Sequence, residues 1–119
     1  MLGFEQASKP MSLRDGLAHA LRTARHAKGV SQEALDTVSS RTYISSLERG
    51  LKSPTIEKLV EIASAIDIHP LSLLTFAYIR SSKHASVSTL MKEIEEQVQL
   101  LVESEETLPY AKTKLAQKK

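Results

Sequence analysis

Apolar positions recur at helical intervals along most of this chain, with polar breaks between the runs. Leu13, Leu17, Leu21 and Ala24 share one face of a helix that Ser12 can start, with Asp15 where a capping-box acid belongs. Arg14, Arg22, Arg25 and Lys28 lie off that face, and the pattern runs out near Lys28 and Gly29. Residues 31–50 then read as two short helices around a tight break. Ser31 before Gln32 and Glu33 is one start signal, Leu35 is the apolar anchor, and Ser39-Ser40 interrupts. Ser40 starts the second helix, 41–49, and Gly50 suits the left-handed residue that closes it. Ile44 and Leu47 turn inward, which leaves Arg41, Thr42, Ser45, Ser46 and Arg49 outside and Tyr43 at the margin.

Lys52-Ser53-Pro54-Thr55 is a loop and a capped start, after which Ile56, Leu59, Val60, Ala63 and Ile66 form a wide apolar stripe. His69 before Pro70 breaks that helix, because a residue preceding proline avoids the helical region while proline suits the first position of the next helix. His69 is thus expected in a loop. The following helix, 71 to about 79, is apolar on more than one face and asks for cover beyond the helices before it. A polar hinge at 80–86 leads to a second long stripe, Val87, Leu90, Met91, Ile94, Val98 and Leu101, with Leu108 at its end. Val87, Ile94 and Leu101 are spaced as a coiled-coil heptad, and Glu93, Glu95, Glu96 and Glu103 lie mostly off the seam. Such a helix can fold back on its own chain or pair with a second copy. Heptad spacing and the over-apolar preceding helix favour pairing.

The expected fold class is all-α. Residues 1–11, without period, are an N-terminal arm or leader; 12–80 form a head; 81–108 a dimerisation helix; and 109–119 a basic, disordered tail. A length of 119 residues suits one such core with an appendage.

Charge and composition narrow the chemistry. The net charge is only +2, but residues 13–58 hold eight Lys or Arg against five acids, residues 83–106 two against six, and the last thirteen residues four lysines and no acid. A basic front with an acidic rear fits a DNA-facing head and a separate assembly helix, although ordinary solvated faces would produce the same counts. The absence of cysteine removes disulfides and thiolate metal sites and suits a reducing compartment. His19 and His26 lie two turns apart without further ligands, so structural or solvent roles are expected, with no metal and no cofactor. No stretch approaches the roughly 18 apolar residues of a membrane span. An enzyme is not expected: the chain has no paired carboxylates at useful spacing, no nucleophile with a base and no glycine-rich phosphate loop.

The segments SQEAL, RTYISSLERG and KSPTIEKLVEIASAIDIHPLSLL resemble the helix-turn-helix regulators of the Cro and lambda-repressor type, over residues 13 to about 75. The resemblance implies a five-helix head whose third helix, 41–49, enters the major groove of double-stranded DNA. Carried over by position, it assigns Gln32 to a phosphate, Arg41, Thr42 and Ser46 to base edges, and Arg49 and Lys52 to the backbone, with Tyr43 and Ser45 as further candidates. It also implies that Arg25 braces Glu48 as a scaffold ion pair. One departure stands out. Between Leu35 and Ile44 the family usually has two more residues, with a small alanine where Asp36 stands and a glycine at the turn. The turn must be built differently here, with the second helix cut short and Val38 filling the gap. The angle of helix 41–49, and with it the base contacts by about one position, stays open.

The expected function is a sequence-specific transcriptional regulator, more often a repressor, acting as a homodimer on an inverted repeat in the bacterial cytoplasm and associated with the nucleoid. The competing class is an antitoxin-type protein, whose C-terminal helix and basic tail bind a partner protein while the head autoregulates its own operon.

Overall fold

Among the described residues, four of the five α-helices start on a local hydroxyl. In the computed structural model, which describes residues 11–81 and 86–108, Ser12 Oγ accepts from the Asp15 N–H at 3.0 Å and opens α1, Leu13–Ala27. Ser40, Thr55 and Ser86 do the same for α2 (Arg41–Glu48), α3 (Ile56–Ile66) and α5 (Val87–Glu105). At α4, Pro70–Ser81, the Leu71 N–H donates instead to His69 Nδ1 at 3.0 Å, so the histidine expected in a loop is the cap. Residues 1–10 of the expected arm (1–11), residues 82–85 of the hinge and the tail (109–119) lie outside the described residues. All regular structure among the described residues is helical.

The element between α1 and α2 is a single 3₁₀ turn, Glu33–Leu35, in which Ser31 Oγ accepts from the Ala34 N–H. Leu35, almost fully buried, is its whole contribution to the core, and Val38 packs partly buried beside it. The turn ends at Asp36, whose N–H donates to the Glu33 carbonyl.

The first unit of the chain has one core. Leu17, Leu21, Leu35, Ile44, Leu47, Ile62, Ile66 and Leu73 meet there, and α1 packs most extensively against α4. That seam is tight at Gly16. A methyl group on its Cα would sit 2.6 Å from the Ala77 carbonyl oxygen, a backbone atom that cannot rotate away. α3 and α4 are bent by 106° at residues 67–69. Among the described residues no single helix is long and apolar enough to cross a membrane.

Two apolar faces differ from their expected positions. Leu13 is half exposed, since the packed face of α1 begins with Gly16 and Leu17. On α3 the buried stripe is Leu59, Ile62, Ala63 and Ile66, and Ile56, 76% exposed, and Val60 flank it. Periodicity counted from Ile56 places the centre of the stripe too far round the helix. On α4, Leu73 and Ala77 enter the core while Leu71 and Tyr78 face outward. Phe76, partly buried, is covered within the head by the His19 ring at 5.5 Å and by the Arg80 guanidinium at 5.0 Å.

The second unit begins at Ser86. None of the residues of α5 is buried; Val87, Met91, Val98 and Leu101 are exposed, and Leu90 and Ile94 partly so.

Candidate nucleic-acid interface

Only eight residues long, α2 is defined sharply at both ends. Ser40 Oγ accepts from the Tyr43 N–H at 3.1 Å. At the other end the Gly50 N–H donates to the Leu47 carbonyl and the Leu51 N–H to the Ser46 carbonyl, a closure that needs the positive φ of 74° at Gly50. Gly50 also admits Asp15, whose Oδ1 would lie 2.6 Å from any added Cβ. Ile44 and Leu47 are buried and Tyr43 packs partly buried against the core, so the helix offers the opposite face. That face carries Arg41, Thr42 and Arg49, exposed, with Ser45 partly exposed among them. Lys52 is exposed in the loop beyond, its Nζ 5.8 Å from the centre of the Tyr43 ring.

Ser46 requires a correction. Expected outside and at base edges, it is only 7% exposed. Its carbonyl accepts from the Leu51 N–H in the closing turn. Of the two adjacent serines expected outside, only Ser45 remains on the outward stripe.

Behind the stripe, charged groups converge on Glu48. Arg25 Nε and Nη2 donate to its two carboxylate oxygens at 2.6 and 2.8 Å, and Gln32 Nε2 donates to Oε1 at 2.9 Å. Arg22 Nη1 donates to the Glu48 backbone carbonyl, and Arg25 Nη1 reaches the Val30 carbonyl at 3.0 Å. Burial opposes the carboxylate charge. The hydrogen bonds from Arg25 and Gln32, with the charges of Arg25 and Arg22, outweigh it and hold the Glu48 pKa below the ordinary glutamate value. The hydrogen bond to Glu48 correspondingly makes Arg25 hold its proton more tightly, against its own burial. Gln32, expected at a phosphate, thus has one amide hydrogen engaged inward; the other, and its carbonyl, are uncommitted within the described residues.

The glycine-free turn has its own support. Lys58 of α3 donates from Nζ to the Val38 carbonyl at 2.8 Å and to Glu61 at 3.0 Å. The Val38 and Ser39 N–H groups both return to the Leu35 carbonyl. At the entry to α2, Arg41 Nη1 lies 3.4 Å from Glu33 Oε2. No role in holding the turn or α2 was expected of Lys58, Glu33 or Arg22 from the sequence. Arg22 had a signal, its place one helical turn before Arg25, and the missing turn glycine implied some outside partner without naming it.

A short helix with one face locked into a core and the other presenting two guanidinium groups, preceded by a tight turn, defines the second helix of a helix-turn-helix head. Comparison with known proteins agrees. A helix-turn-helix family model matches residues 21–73. The chain is 36% identical over 67 residues to the uncharacterized HTH-type transcriptional regulator y4dJ of Sinorhizobium fredii (strain NBRC 101917 / NGR234), a match covering 55% of this chain and 87% of that protein. An equal identity over 67 residues links it to the control protein C.SmaI of Serratia marcescens, covering 55% and 80%. Its structure is similar to a crystal structure of the clp gene regulator ClgR from C. glutamicum, with TM-score 0.57, 31% identity and coverage of 63% of this chain and 99% of that one. A second ClgR crystal structure, from Corynebacterium glutamicum, has TM-score 0.55 at 28% identity, covering 78% and 93%. The chain belongs to the helix-turn-helix transcriptional regulators of the Cro and lambda-repressor type, a DNA-binding and non-enzymatic family.

Proposed function

We propose that this protein is a cytoplasmic, nucleoid-associated repressor that binds an inverted-repeat operator as a homodimer. The head, residues 12–80, lays α2 in the major groove, where Arg41, Thr42 and Ser45 meet base edges. Gln32, Arg49 and Lys52 contact phosphates, and Tyr43 packs at the margin of the groove. Such a division suits the chemistry. Arginine can bond guanine O6 and N7 together, threonine offers a hydroxyl and a methyl, and phosphate contacts set the register without carrying sequence information. The observation that carries the reading is the outward stripe of Arg41, Thr42, Ser45 and Arg49 on a helix whose other face is anchored by the buried Arg25–Glu48 pair.

Dimerisation is assigned to residues 81–108, through the seam Val87, Leu90, Met91, Ile94, Val98 and Leu101. Support comes from the heptad spacing and from a helix of nineteen residues without one buried side chain. Two α2 helices per dimer would then meet half-sites about 10–10.5 bp apart. Selection of bound sequences from a random DNA pool, followed by footprinting, is the test. Enrichment of an inverted repeat protected on one face supports the proposal, and failure to enrich any motif at low salt with a verified dimer refutes it. Co-purification of a small toxic partner would favour the antitoxin class instead, with mixing of residues 1–80 and that partner locating the contact.

A further inference from the structure

At the entry to α2, Arg41 Nη1 lies 3.4 Å from Glu33 Oε2, and the two side chains are 63% and 66% exposed. Such a pair adds little stability, because water screens both charges. Its position matters more. A carboxylate at the leading end of a DNA-facing helix is repelled by phosphates and lowers affinity for every duplex, so its benefit must lie elsewhere. The guanidinium is planar and has five N–H donors in a fixed fork. An ion pair at Nη1 engages one corner and leaves the opposite edge free for guanine O6 and N7. Among the described residues no other acid lies within ion-pair distance of Arg41, and Arg49 at the far end of the same stripe has no acid partner. Glu33 itself belongs to the 3₁₀ turn, whose Leu35 is locked in the core, so the carboxylate hangs from a firm support.

We propose that Glu33 is a positioning residue for base readout: its carboxylate, ion-paired with Arg41 at Nη1, aims the other edge of the guanidinium at one guanine. The turn before α2 thereby becomes part of the specificity machinery. This rests on Arg41 as a base contact. Removal of Glu33 then has two effects of opposite sign, stronger binding to DNA in general and weaker discrimination at one base pair.

The test uses the full chain and the sequence enriched by selection. Glu33→Ala and Glu33→Gln, each alone and combined with Arg41→Ala, are titrated on that site and on the same site with the guanine replaced, at about 50 and 200 mM salt. Both single variants should bind unrelated duplex more tightly than the wild type. Glu33→Ala should lose about tenfold in discrimination at the replaced base pair, and Glu33→Gln, which keeps an acceptor, should lose less. In the Arg41→Ala background neither should change discrimination. A Glu33→Ala variant that keeps its discrimination to within about twofold overturns the proposal, as does an equal loss without Arg41. Failure of the underlying reading looks different. Arg41→Ala would then weaken all sequences alike, and that result overturns both.

Discussion

The two ends of α2 use the same chemical pair, an arginine and a glutamate, in opposite environments. At the C-terminal end Glu48 is buried and its carboxylate accepts from Arg25 and Gln32, with Arg22 on its carbonyl. At the N-terminal end Arg41 and Glu33 are both mostly in water. A carboxylate taken out of water is tolerated only with its hydrogen bonds complete, so the buried end has one geometry. An exposed pair is held only weakly by its charges, so the outer end keeps the free edge of Arg41 open to a ligand group. The helix is anchored at one end and left adjustable on the proposed DNA face.

That contrast can be broken most severely at the anchor. Arg25→Ala should cost about 3–5 kcal/mol, since it strands a buried carboxylate. Loss on that scale is a large part of the stability of a small domain, and urea denaturation measures it. A loss below about 1 kcal/mol would mean the cluster does not hold α2. The anchor should also respond to acid. Because the folded pKa of Glu48 lies below its ordinary value of 4.5, its contribution is complete above that value and is lost as pH falls through the lower folded pKa. Glu48→Gln, less stable at neutral pH, should therefore show a shallower fall in stability below pH 4.5 than the wild type.

At the adjustable end the losses should appear on DNA instead. Arg41→Ala should cost about 1–3 kcal/mol on the selected site and relax preference at one base pair, while stability changes by less than about 0.5 kcal/mol. Uniform weakening on all sequences would remove Arg41 from the base readers. Lys58→Met lies between the two regimes. It withdraws the donor from the Val38 carbonyl and should destabilise by about 0.5–1.5 kcal/mol, with Tm as the measure. The smallest effect is expected at Lys52→Ala: folding unchanged, binding weakened evenly across sequences, and the salt dependence reduced by about one phosphate contact.

Several features were legible in the chain because they are local. Ser12, Ser40 and Thr55 each cap a helix three residues from the amide they receive, and Gly50 closes α2 within its own last turn. Such signals need no partner from elsewhere, and the all-helical fold followed from them together with apolar periodicity. The short turn was legible in the same way, as missing residues and a missing glycine between Leu35 and Ile44.

Burial and long-range partners depended on where the helices met. Ser46 is buried although its neighbour Ser45 is partly exposed, and Ile56 and Val60 are exposed because the packed face of α3 runs through Leu59, Ile62, Ala63 and Ile66. Lys58 reaches Val38 across twenty positions, and Arg22 reaches Glu48 across twenty-six. A period identifies a face but not its exact centre, and a charged side chain carries no mark of a partner that only packing brings near. By itself, then, the sequence determined that α2 exists, where it starts and stops, and that arginines stand on it. The tertiary structure decided that Ser46 is buried, that Glu33 lies beside Arg41 and that Arg22 and Gln32 join the Arg25–Glu48 pair, because those outcomes depend on how α1, α2 and the 3₁₀ turn meet around one buried carboxylate.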